Sequence, residues 1–155
     1  MKNYPTTTRR RLLGQFVRAG ALTMLADASS AANDDLSAAV ANFAGGEIVL
    51  KGRVKLDIAE LVDNGNVVPI TVTVDSPMTA DKYVKTIAVF NEKNPQREVV
   101  KFTLGPRSGK AIVTTRIRLA TTQKLVAVAQ LSDGSFWSHT VEVIVTLAAC
   151  IEGEA

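Results

Sequence analysis

Cys150 and His139 are the chain's one cysteine and one histidine, and they are the side chains best suited to nucleophilic or acid–base work near neutral pH. One thiol excludes an internal disulfide framework and any multi-cysteine metal centre. One histidine leaves too few ligands for a zinc site built from several His or Cys, and a serine-type triad would have His139 as its single candidate base. His139 falls beside Trp137 in an apolar stretch and reads as a packed or surface histidine rather than a base. Asp75 and Asp81 do not read as a paired acid/base site, and no glycine loop of the phosphate-binding kind is present. The inventory therefore points away from an enzyme and calls for no cofactor or metal.

Cys150 has a chemistry of its own. Only the thiolate attacks, and at an ordinary pKa near 8.5 roughly 3% of a thiol is thiolate at pH 7. Sulfur–sulfur bonds form and exchange through that fraction when the group is accessible. Residues 148–155 read as a C-terminal arm. If the preceding strand ended at Thr146, four residues at about 3.5 Å each would carry Cys150 roughly 14 Å beyond it. Ile151 is bulky and β-branched next to the thiol, and Glu152, Glu154 and a terminal carboxylate add negative charge. Such charges raise a thiol pKa and repel an anion, by about 0.5 kcal/mol each at 8 Å in water before salt screening. The residue types alone leave three readings open: sulfur exchange, an intermolecular disulfide, or an idle cysteine.

The elements that must position this thiol are β-strands. The chain has 155 residues, 46% hydrophobic, 21% charged and 5% aromatic, as expected of one globular domain. Residues 35–44 have helical spacing, with Leu36, Val40 and Phe43 on one face and Gly45-Gly46 ending the pattern. Strands rich in Val, Ile and Thr are expected at 47–50, 54–60, 66–74, 83–91, 98–104, 110–120, 124–131 and 136–147. Ala111, Val113, Thr115, Ile117 and Leu119 alternate with Lys110, Thr114, Arg116 and Arg118; Val141, Val143, Val145 and Leu147 share a face opposite Glu142 and Thr146. Residues 125–131 are apolar on both faces, which suits a sandwich interior or an interface. Turn signals at Asp63-Asn64-Gly65-Asn66, Asp75-Ser76-Pro77, Asn94-Pro95, Gly105-Pro106, Ser108-Gly109 and Ser132-Asp133-Gly134 separate them. The expected fold is all-β, an immunoglobulin-like antiparallel β-sandwich over residues 32–147 with a short N-terminal helix. Phe136 and Trp137 fit either core packing or an interface, Arg116 and Arg118 either an acidic partner or solvent, and Met78 a turn or core gap.

The basic excess of the chain, 18 Lys and Arg against 15 Asp and Glu, is local. Lys2, Arg9, Arg10, Arg11 and Arg18 face only Asp27 before residue 32, whereas the remainder has 13 basic and 14 acidic residues. The folded part is therefore not a nucleic-acid binder by charge. Residues 1–31 read as a signal peptide: Arg9-Arg10 begins a twin-arginine type address, a weakly apolar stretch follows, and small residues allow cleavage after Ala28, Ala31 or Ala32. The stretch is too short and too interrupted to span a bilayer. A bacterial periplasmic location is expected, with an N-terminal helix that stays on the protein as the other reading.

The mature sequence resembles the SoxY family, the sulfur-carrier subunit of the bacterial thiosulfate-oxidising Sox system. The matching stretches are Ile58-Ala59-Glu60, Asp63-Asn64-Gly65 leading into Val67-Val68-Pro69-Ile70, Val74-Asp75-Ser76-Pro77-Met78-Thr79, and Tyr83-Val84-Lys85 with Ile87. They continue through Asn94-Pro95, Thr115-Arg116-Ile117-Arg118-Leu119-Ala120, and Val143-Ile144-Val145-Thr146 before the cysteine. The resemblance implies a carrier that tethers sulfur intermediates covalently to Cys150 and pairs with a SoxZ-like β-sandwich subunit. Its further implied partners are Sox enzymes: a c-type cytochrome, a sulfate-releasing hydrolase and, in some systems, a sulfane dehydrogenase. The family's Gly-Gly-Cys-Gly-Gly tail is replaced here by Ala148-Ala149-Cys150-Ile151-Glu152. A non-carrying SoxY-like paralogue, or a structural sandwich of the cell envelope, is the alternative.

Overall fold

The structure is a computed structural model that describes residues 28–149, with side chains from Asp35 onward. Residues 1–27 of the expected signal peptide, and the arm from Cys150 on, lie outside the described residues. Helix α1 spans Ala28–Phe43 and so begins earlier than the spacing over 35–44 predicts. Its end is a Schellman motif: Gly46 N–H donates to Ala41 O at 3.0 Å and Gly45 N–H to Asn42 O at 3.2 Å, with Gly45 at φ +63°. No helix of the described residues is long and apolar enough to cross a membrane.

Nine strands follow: β1 Val49–Lys51, β2 Val54–Asp57, β3 Leu61–Val62, β4 Val68–Val74, β5 Val84–Asn91, β6 Glu98–Thr103, β7 Ile112–Ile117, β8 Gln123–Leu131 and β9 Phe136–Val145. One sheet runs β1-β9-β8-β5-β6, with β3 also on β9, and the second runs β2-β4-β7. The pairing is antiparallel except that the short β1 and β3 lie parallel to β9. The expected strand over 54–60 is thus the shorter β2, and a two-residue β3 that the sequence does not predict follows it at Leu61–Val62. The two sheets enclose one core, whose fully buried members include Ile70, Val72, Ile87, Val89, Leu125 and Val143. Alternation in β7 holds as the sequence predicts: Ala111 and Ile117 are buried and Thr114 and Arg116 exposed.

Strand β8 is buried on both faces because α1 covers the outer one. Leu36 and Phe43 pack there on Ala88, Phe90, Val126, Val128 and Phe136. Phe43 meets Phe90 and Phe136 edge-on, with centroids 5.6 and 5.9 Å away. Phe136 is therefore a core residue under the helix, and Trp137, on the opposite face of β9, packs on the inner core. Leu147 departs from the expected face. The chain leaves the sheet after Val145, and Leu147 is 60% exposed rather than inward.

Candidate functional site at the root of the C-terminal arm

The last described residues do not trail from the sandwich. They are laced to it. Ile144 N–H donates to Glu60 O at 2.8 Å, and Val145 N–H to Thr122 Oγ1 at 3.0 Å. Thr146 N–H donates to Val62 O at 3.0 Å, and its hydroxyl to Asp63 O at 3.1 Å. Beyond β9 the ties continue through the backbone alone. Gly65 N–H donates to Leu147 O at 2.8 Å, Leu119 N–H to Gly65 O at 2.8 Å, and Ala149 N–H to Leu119 O at 3.1 Å. The Asp63-Asn64-Gly65 turn and the residues after β7 thus grip the chain up to the residue before the cysteine.

Gly65 is buried, and its identity follows from space. A Cβ there would run into Leu119 O and stand 3.0 Å from Ala149 N and 3.1 Å from Val145 Cγ1. Backbone approaches this close exclude any side chain. The turn itself is held by Asn64, whose Oδ1 accepts from Asn66 N–H at 2.9 Å.

Leu119 is held in turn by side-chain amides. Asn94 Nδ2 donates to Arg118 O at 2.8 Å, and Asn94 Oδ1 accepts from Ala120 N–H at 3.0 Å and from Gln123 Nε2 at 2.8 Å. Asn94 bridges both peptides that flank Leu119. Its own N–H donates to Asn91 Oδ1 at 3.0 Å, and Gln123 Oε1 accepts from Lys93 N–H at 2.9 Å. Asn91 and Gln123 are buried with all their polar atoms bonded, which lets polar side chains brace a loop without a desolvation penalty.

The arm reach is accordingly shorter than the sequence estimate from Thr146. Among the described residues the last tie is at Ala149, so Cys150 begins no more than about one residue, roughly 3.5 Å, from the anchored body. Four of the exposed large apolar residues, Leu61, Val67, Ile144 and Leu147, lie at this same end, with Leu61 and Ile144 in register across β3 and β9.

Other residues singled out by type lie elsewhere. His139 sits in mid-β9, where its Nδ1 accepts from Leu56 N–H at 3.1 Å and so ties β2 to the other sheet. Six residues of strand, roughly 20 Å, separate it from the end of β9. Asp75 and Asp81 lie at the opposite end, beyond β4 and before β5, and are both exposed. Met78 there is buried and its Sδ accepts from Val84 N–H at 3.4 Å. Among the described residues no group of three His, Cys, Asp or Glu is placed to hold a metal ion. Sequence reasoning read Gly65 and Asn94 only as turn residues, and did not single out Gln123. Their common signal is that Asp63-Asn64-Gly65, Asn94-Pro95 and Arg116–Ala120 are all stretches that carry the family resemblance, and they meet here.

The described residues thus form an immunoglobulin-like sandwich with one end braced up to Ala149, the residue before the cysteine. The chain belongs to the SoxY family: the family model for the sulfur oxidation protein SoxY matches residues 40–150, well over half of the chain, and the match ends on Cys150. Among solved structures it is similar to the sulfur carrier protein SoxY from Chlorobium limicola f thiosulfatophilum, at 27% identity and TM-score 0.64, over 76% of this chain and 96% of that one. It also resembles the superoxide reductase (neelaredoxin) from Ignicoccus hospitalis, at 18% identity and TM-score 0.57 over 64% of this chain and 97% of that one. The superoxide reductase from Nanoarchaeum equitans matches at 11% identity and TM-score 0.52, over 62% and 100% respectively. These last two likenesses are of fold. No curated protein sequence matches the chain. Family and structure together support a sulfur-carrier role in the Sox system, which is not itself catalytic.

Proposed function

We propose that this protein carries sulfur intermediates covalently on Cys150 in periplasmic thiosulfate or sulfur oxidation. The observation that carries the reading is the SoxY family match, which runs to the chain's single cysteine. The braced root suits it, because a thiol held near a defined surface is delivered to partner sites in a narrow range of poses.

The chemistry follows from the thiolate. Loading joins Cys150 Sγ to the outer sulfur of thiosulfate: thiolate plus S2O3²⁻ gives the Cys–S–S–SO3⁻ adduct and two electrons, which pass to an oxidising partner of the c-type cytochrome kind. Water then cleaves the terminal S–S bond at the sulfonate, giving sulfate, two protons and a Cys–S–S⁻ persulfide. The carrier supplies the attacking sulfur and its placement. The partner enzymes, with a SoxZ-like sandwich subunit paired to the carrier, supply the rest. Export through the twin-arginine route is part of the same proposal, supported by Arg9-Arg10 and the small residues near Ala28–Ala32.

The replacement of glycines by Ala148, Ala149, Ile151 and Glu152 favours a second reading, a non-carrying SoxY-like paralogue. One experiment separates them: the intact mass of the mature protein from cells metabolising a reduced sulfur compound, with and without reductant, beside a Cys150→Ser control. Reductant-labile sulfur adducts on the wild type alone support carriage. An unmodified thiol throughout removes it and leaves the paralogue.

A further inference from the structure

We propose that Gly65 is a positioning residue: its passage between Leu119 and the post-β9 chain clamps the arm at Ala149 and sets how far Cys150 extends from the sandwich. The functional consequence rests on the carrier reading above; the clamp itself does not.

The argument is one of geometry. Gly65 N–H holds Leu147, Gly65 O holds Leu119, and Leu119 O holds Ala149, so three separate segments form one continuous backbone ladder. The ladder closes only because nothing projects from Gly65 toward Leu119 O and Ala149 N. Its fixed member is the Leu119 peptide pair, gripped from both sides by Asn94. Ala149 is buried while Ala148 is exposed, so the segment is seated rather than merely passing by. Strand pairing does not require this, since β9 has already ended at Val145. What the ladder adds is a stop: the tether is counted from Ala149 and not from the end of the strand. A short tether brings partner sites against the sandwich end itself, whereas a ladder opened as far as Thr146, which Val62 and Asp63 hold separately, adds three more residues of reach, about 10 Å.

The test uses the full mature chain. Because Cys150 is the single cysteine, a nitroxide label reaches it without further substitution. In Gly65→Ala the room-temperature spectrum of the label narrows relative to wild type and the Ala149 amide loses hydrogen-exchange protection. Ala149→Pro removes only the last N–H donor and keeps Gly65, so it tests the clamp even if Gly65→Ala fails to fold. Losing one backbone hydrogen bond shifts the ratio of released to seated arm by up to roughly tenfold. Val84→Ala, a core truncation at the opposite end, lowers the unfolding temperature without narrowing the spectrum. Spectra unchanged in both clamp variants, or narrowed equally by Val84→Ala, overturn the proposal. The label spectrum needs no sulfur load, so a carrier that never gains an adduct but shows the narrowing retires the carrier reading and keeps the clamp.

Discussion

The two ends of the sandwich are built differently. At the arm end, the loops at 63–66, 91–97 and 118–122 are joined to one another by side-chain amides and by backbone ties across the fold. At the opposite end most turns close on their neighbours and the long-range ties are fewer: Ser132 Oγ donates to Asp81 O and accepts from Tyr83 N–H, and Asp75 N–H donates to Arg53 O. Gly52 and Arg53, at φ +109° and +56°, make the corner between β1 and β2, and Met78 turns at φ +53°. Gly109 and Gly134 bend at φ +76° and +88°, and Asp133 bonds Ser135 two residues on. A shallow groove of about 550 Å³, lined by Arg53, Lys55, Asp75 and Lys110 among others, lies there, and Arg53 stacks 5.2 Å over Trp137. Local turns return the chain to the next strand cheaply. Long-range bonds between loops cost more ordering entropy, and they hold one loop relative to another. The end that carries the cysteine spends more of its side chains on relative position, through Asn94, Gln123, Thr122 and Thr146 against Ser132 at the other.

This contrast can be broken most sharply at Asn94. Asn94→Ala strands the Ala120 N–H, the Gln123 amide and the Arg118 carbonyl at once, so a loss of about 2 kcal/mol is expected. That corresponds to roughly 8 °C in thermal unfolding of a domain this size, with increased exchange at the Leu119 amide. A loss no larger than that of a surface substitution would mean that the two ends are braced alike.

A second measure sharpens the functional side. Replacing Ile151 and Glu152 by glycine removes a bulky neighbour and one negative charge, and an anionic substrate should load about two- to threefold faster with the same enzymes. Equal loading rates would show that the braced root, rather than the tail chemistry, sets access.

At the opposite end the expected effects are small. Arg53→Gly relieves a left-handed backbone at the cost of the stacking on Trp137. The two terms are each about 1 kcal/mol and oppose, so the denaturant midpoint moves little. The label at Cys150 is unaffected. Smallest of all is Asp133. Hydrogen bonds from the Ser135 hydroxyl and then from its N–H hold the Asp133 carboxyl below its ordinary value of 3.8. A carboxylate pKa lowered in the folded state stabilises above the unfolded value, and that contribution fades as pH falls through the folded value. Asp133→Asn should therefore lower stability slightly near pH 7, by no more than about 0.5 kcal/mol after solvent screening, and the gap to wild type should close as pH falls below the ordinary carboxylate value and through the lowered folded one.

Most of the fold was legible because side-chain periodicity is a direct imprint of the sheet. The alternation of Ala111 to Leu119 against Arg116 and Arg118 reports which face is buried, and the apolar run of 125–131 reports cover on both faces. That the cover is α1 was readable in Leu36, Val40 and Phe43 only as a helix face, without its target. Strand β3 escaped because two residues carry no period. Leu147 was assigned inward because the pattern continues past Val145, while the chain turns away to meet Gly65. The cysteine was legible by count alone, while its residue type left its chemistry open and the family match is what supports a carrier.

By itself, then, the sequence determined the sheets, the helix, the one thiol and the family. Tertiary structure alone decided that Gly65, Asn94, Leu119 and Ala149, far apart along the chain, converge on the root of the arm. The reason is physical. The ladder there is made of peptide N–H and C=O groups, which every residue other than proline possesses, so no side-chain pattern records it. Its one trace is the missing Cβ of Gly65, whose meaning appears only once the neighbouring backbones are in place.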